Sequence, residues 1–96
     1  MNEKNPHQLA EEIVNLADEC GRLAERYDEL NRLYAEWWKT FRADFKSDKA
    51  AEKEWDLTLD GQEMQTIKTK IKTKDRKISA YKMFIRVLTE EAHNQF

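Results

Sequence analysis

The chain has 96 residues, 38% of them charged and 40% hydrophobic, with two glycines, one proline, one cysteine and a net charge of −2. So few Gly and Pro exclude the many turns of an all-β sandwich or barrel, and a lone Cys excludes a disulfide framework or a Cys-based zinc centre. No apolar run reaches the roughly 18 residues of a membrane span, and Met1 to His7 lack the basic-then-apolar layout of a signal peptide. The expectation is one small all-α domain over residues 1–96, soluble and cytoplasmic.

The first element is a long helix over about residues 6–46. Asn5 is placed to cap it, Pro6 suits the first helical position, and Gln8 stands where a capping box has Glu or Gln. Leu9, Ile13, Leu16, Cys20, Leu23, Tyr27, Leu30, Tyr34, Trp37 and Phe41 then alternate steps of four and three residues without a break. A repeat averaging 3.5 residues keeps one stripe facing a partner helix, as in a coiled coil. Ala10, Ala17 and Ala24 recur beside the stripe, on a side where a second helix has room to approach. The phase breaks at Asp44 and Phe45. Ser47 and Asp48 are N-cap candidates for a short helix over about 48–57, followed by a turn at Leu59-Asp60-Gly61; the alternative is that the first helix runs straight through to about Trp55.

A second long helix is expected over about 60–94, with Asp60 and Glu63 as its capping box. Met64, Ile67, Ile71, Lys74, Ile78, Tyr81, Ile85, Leu88 and Ala92 keep the three-four spacing, Lys74 alone being out of place. Lysine can run its methylenes along such a stripe and hold its ammonium at the edge. Thr66 to Lys74 also alternates with a period of two, as a strand does, but the heptad phase continues on both sides and a lone strand has nothing to pair with.

Two stripes of similar length predict an antiparallel, coiled-coil-like helical hairpin with the short helix near its tip. One register of that hairpin pairs Cys20 with Tyr81 and Trp37 with Met64. Charge supports the fold-back: residues 9–30 carry seven acids and two arginines, net −5, and residues 66–86 carry eight bases and one acid, net +7. Like-charge clashes in other pairings make this asymmetry a selector of orientation. Lys70, Lys74 and Lys77 flank the stripe, where acids of the first helix can answer them. Lys68, Lys72, Arg76 and Arg86 form an outer row without an assigned partner. That row carries a competing expectation of nucleic-acid binding, although no aromatic is interleaved for base stacking.

Two further features point to partners. Toward the open end Ala10, Val14 and Ala17 on one helix, and Met83, Phe84 and Val87 on the other, add a second apolar flank. A hairpin buries only one stripe per helix, so these six residues are candidates for a homo-oligomer interface, a dimer closing a four-helix bundle. At the closed end Trp37, Trp38, Phe41 and Trp55 are candidate protein-binding residues, since Trp and Tyr beside Lys39, Arg42 and Lys46 is a composition that binding hot spots favour. The competing reading packs them as a small core, with Trp55 folded over the tip.

No enzyme, cofactor or metal site is expected. There is no glycine-rich phosphate loop and no nucleophile elbow, and His7 and His93 read as terminal residues. Cys20, on the stripe, reads as a small core residue. Glu11-Glu12, then Asp18-Glu19 and Glu25-x-x-Asp28, resembles the helical acidic motifs of all-α nucleotide pyrophosphohydrolases, which implies carboxylates holding magnesium against a triphosphate. Asn15 stands where that family's first motif, Glu-Glu-x-x-Glu, has its third glutamate.

A second resemblance runs over roughly residues 34–96. Phe45-Lys46-Ser47-Asp48 with Ala51, Trp55, Gly61-Gln62-Glu63-Met64, Ser79-Ala80, Val87-Leu88, Glu91 and Asn94 is similar to a family of small helical proteins encoded by bacteriophages and prophages of Gram-positive bacteria. It implies a bacterial cytoplasm and a host-takeover or early-gene setting. That family has no assigned activity, so no functional residue is carried over. The function expected from all of this is a non-enzymatic protein-interaction module.

Overall fold

Asn5 starts the first helix by a reciprocal cap. Its side-chain oxygen accepts from the Gln8 N–H at 2.8 Å, and its own N–H donates to the Gln8 side chain at 3.1 Å. Two backbone donors that the first turn leaves unpaired are thereby satisfied. In this computed structural model, which describes residues 5–94, α1 runs from Pro6 to Phe41. A single 3-10 turn follows at Arg42–Asp44, then α2 over Asp48–Leu57 and α3 over Leu59–Asn94. The described residues are all-helical, without a strand.

Two boundaries differ from those read in the sequence. The first helix ends at Phe41 and not near 46: Phe45 is extended (φ −114°, ψ 151°), and the Phe45 N–H closes the 3-10 turn on the Arg42 carbonyl. Ser47, also extended, caps α2 by accepting from the Ala50 N–H at 3.1 Å. The second difference lies between α2 and α3. Thr58, not Asp60, is the cap of α3: its hydroxyl accepts from the Gly61 N–H at 3.0 Å and donates to the Trp55 carbonyl at 2.6 Å. Leu59, Asp60 and Gly61 therefore form the first turn of α3 and not a loop. Asp60 sits in that turn, where a carboxylate meets the positive end of the helix dipole. The Thr66 to Lys74 stretch is helical throughout.

Contacts divide the chain into two compact units. Arg22–Ile71 forms one, termed central, and the described residues before and after it form the other, termed terminal. In the central unit Leu30, Ala51, Trp55 and Ile67 are buried, Leu30 completely. Gly61 is buried as well, and any side chain there would collide with the Trp55 carbonyl oxygen. Glycine thus lets the first turn of α3 sit directly against the end of α2. In the terminal unit Leu9 is the buried apolar side chain, while Ile13, Leu16, Cys20, Ile78, Tyr81, Ile85 and Leu88 are half-buried at the expected three-four spacing.

The helices meet on the glutamate side of the α1 stripe and not on its alanine side. In the terminal unit the Lys74 Nζ lies 2.6 Å from a Glu19 carboxylate oxygen, and Glu12 and Leu16 line a shallow groove with Lys77 and Tyr81. In the central unit Arg26 is bound bidentately by Glu63, at 2.7 and 2.9 Å. Ala10, Ala17 and Ala24 are all exposed. Cys20 stands against Asp75, its Sγ 3.9 Å from the carboxylate, and Tyr81 is nearer Glu12 and Leu16. The pairing of Cys20 with Tyr81 is thereby corrected by about one heptad. Trp37 meets Trp55, and Met64 lines a groove with Tyr27, Tyr34 and Trp55.

Candidate functional site

Six aromatic rings gather in the central unit, placed by three short-range features. The α1 stripe puts Tyr34 and Trp37 on one face, and the extended link at Phe45–Ser47 brings that phenylalanine back against Trp37. The Ser47 cap then aims α2 so that Trp55 enters between them. Trp55 meets Tyr34 edge-on with ring centres 4.9 Å apart and lies 5.6 Å from Trp37. Trp37 also touches Phe41 and Phe45, at 5.7 and 5.9 Å. Trp38 turns the other way round Tyr34, at 5.7 Å, and its outer face carries the Arg42 guanidinium at 5.9 Å. Arg42 in turn pairs with Asp48 and donates to the Phe45 carbonyl. Adjacent tryptophans that cannot share one seam are both accommodated, because Trp38 packs against Tyr34 from the flank.

This geometry sorts the four candidate contact residues. Trp55 is 5% exposed and belongs to the core, so it is withdrawn as a surface contact; α2 folds it inward against two rings that would otherwise face water. Trp37 and Trp38 are half-buried. Phe41 is 44% exposed and forms the open edge of the cluster.

Beside the cluster lies a groove of about 290 Å³ that the residue pattern alone did not single out. Tyr27, Tyr34, Trp55 and Met64 supply its apolar surface, and Glu52 and Asp56 its acidic rim. Asn31, Gln65 and Lys68 complete the lining. Burial pushes the Tyr34 hydroxyl above its ordinary value, with the charges of Glu52, Asp56 and Asp48 adding to the effect. Glu52, Trp55 and Asp56 stand about one turn or less apart on α2, so spacing puts the acidic rim and its aromatic floor on one face. That Tyr27 and Met64 would close the other side depended on how α3 docks.

The remaining candidates are spread over the surface. Lys68, the first of the outer basic row, lines the acidic groove; Lys72, Arg76 and Arg86 are exposed. In the terminal unit Ala10, Val14 and Ala17 are exposed, Val14 at 58%, and on α3 Met83 at 67%, Phe84 at 61% and Val87 are exposed as well. Of the acidic positions, Glu11 pairs with His7 at 3.2 Å and Glu19 with Lys74, while Glu25 and Asp28 are exposed. Among the described residues no three His, Cys, Asp or Glu side chains are grouped to hold a metal ion, and the side chain of His93 falls outside those residues. Burial, and after it the Asp75 carboxylate, raises the Cys20 thiol above its ordinary value, which disfavours the thiolate. Among the described residues no helix is long and apolar enough to cross a membrane.

No protein-family model matches the chain, and no curated protein or solved structure is detectably similar to it.

Proposed function

We propose that the protein is a non-enzymatic interaction module that binds another protein through the aromatic cluster of its central unit. The observation that carries this reading is Phe41, 44% exposed at the edge of the cluster that holds Trp37 and Trp38, with Arg42 lying on Trp38. Large rigid rings lose little side-chain entropy on binding and gain most from a partner that excludes water, and Arg42 is already held in place by Asp48 and the Phe45 carbonyl. In this reading the two long helices pair antiparallel as a coiled-coil-like hairpin. The Glu19–Lys74 and Arg26–Glu63 ion pairs support that pairing, each within its own unit. Self-association through Ala10, Val14, Ala17, Met83, Phe84 and Val87 builds a four-helix bundle dimer. The resemblance to phage proteins implies a bacterial cytoplasm as the setting and leaves open a host protein, a phage replication or recombination protein, or DNA as the target.

Affinity capture from a bacterial lysate, with and without nuclease, tests the reading. The expected outcome is a captured protein that survives nuclease and is lost when Trp38→Ala and Phe41→Ser are combined, with helix content retained. Capture that depends on nucleic acid, and is lost instead on Lys72→Glu with Arg76→Glu, would replace this reading with binding through the basic row.

A further inference from the structure

The groove beside the aromatic cluster has a chemistry of its own. Its volume, about 290 Å³, lies at the low end for ligand pockets, which suits one long side chain better than a cofactor. Tyr27, Tyr34 and Trp55 line it with aromatic rings, which attract a cation, and Met64 favours the aliphatic stem that leads to one. The carboxylates of Glu52 and Asp56, four residues apart on α2, point a negative field at the same opening. Both are exposed and neither makes an ion pair among the described residues. Lys68 is the one cation in the lining, against two carboxylates, so the site keeps a net negative charge. An apolar side chain would leave that charge unanswered, and an acidic one would be repelled.

We propose that this groove receives an arginine or lysine side chain from a basic segment of a partner protein. The proposal rests on the interaction-module reading and adds the partner's chemistry to it. A planar guanidinium can lie on a tyrosine or tryptophan face while its edge donates to a carboxylate, which makes arginine the better of the two occupants.

The experiment is an NMR titration of the full chain with N-acetyl-arginine methylamide, with N-acetyl-leucine methylamide as the apolar control. The arginine probe should produce saturable shifts confined to the Trp55 indole and the α1, α2 and α3 amides that border the groove. Glu52→Gln combined with Asp56→Asn, both surface changes, should weaken binding about tenfold, and added salt should act in the same direction. Lys68→Glu should tighten it. The absence of a saturable shift, equal affinity for the leucine probe, or a charge-removal variant that binds as well as the parent would each overturn the proposal. Preference for the leucine probe sinks the basic partner and leaves the module reading intact. The module reading instead falls if the Trp38 and Phe41 changes leave protein capture untouched.

Discussion

Gly21 and Gly61 are the two glycines of the chain, both lie inside helices, and their surroundings assign them opposite roles. A Cβ at Gly21 would meet nothing within 4 Å, whereas one at Gly61 would collide with the backbone carbonyl of Trp55. Glycine in a helix interior is disfavoured against alanine by about 0.5–1 kcal/mol, through the backbone freedom it must give up. Gly21→Ala should therefore stabilise the protein by about that amount. Gly61→Ala should destabilise it by about 1–3 kcal/mol, because overpacking against backbone forces α3 away from α2. Urea melts of the two variants check this, and a Gly61→Ala protein as stable as the parent would contradict the contact. In the sequence Gly21 reads as part of the first helix and Gly61 as part of a turn, yet both stand in helices. Only the position of the Trp55 carbonyl separates them.

Among elements, α1 and α3 are linked in the central unit by Arg26, which donates to Glu63 from two nitrogens and to Glu29 of its own helix from a third. These hydrogen bonds hold the Glu63 carboxyl below its ordinary value of 4.5 and raise the Arg26 guanidinium above its own. A carboxyl with a lowered folded-state value binds its proton less readily in the folded chain than in the unfolded one. The stability it adds is thus present above about pH 4.5 and is lost as pH falls toward and through the lowered value. Both side chains are partly exposed, so the contribution is modest and screened by salt. Thermal melts should show the parent losing stability more steeply below pH 4.5 than Glu63→Gln does, the two curves converging at low pH. Parallel curves across that range would remove the ion pair from the account. The apolar stripe of α1 is legible in the spacing of its residues, and every member from Leu9 to Trp37 is buried or half-buried. Which flank of it α3 would use is not legible there, because alanines on one side and charged residues on the other both permit a helix to approach.

At the scale of the whole molecule, burial is uneven. Leu30, Ala51, Trp55 and Ile67 give the central unit a closed core, whereas the terminal unit buries Leu9 and leaves Val14, Met83 and Phe84 more than half exposed. Exposed apolar area on this scale marks a surface that gains from being covered, and a second copy offers the same stripe in return. Sedimentation over a range of concentrations should accordingly show a dimer, and Val14→Glu with Phe84→Glu should yield a helical monomer. A parent chain that stays monomeric at every concentration would refute the bundle. Hydrogen exchange should follow the same division, with amides around Leu30 and Ile67 exchanging more slowly than those near Val87, whose helix end has less buried around it.

The order of residues alone determined that this chain would be helical, how Asn5 would cap the first helix, and which face of each long helix would turn inward, whereas the break before α2 and the choice of Ser47 over Asp48 as its cap were decided by the structure. The former are local properties, set by the 3.5-residue repeat and by side chains that reach their own backbone within three or four residues. The axial register needed the tertiary structure, because a stripe that repeats every seven residues matches its partner equally well after a slide of seven. Non-repeating features broke the tie. In the central unit Trp55 occupies the place beside Trp37 and Arg26 takes Glu63; in the terminal unit Glu19 takes Lys74 and Cys20 faces Asp75. The same packing converted Trp55 from a surface candidate into core and left an acidic, aromatic groove at its side.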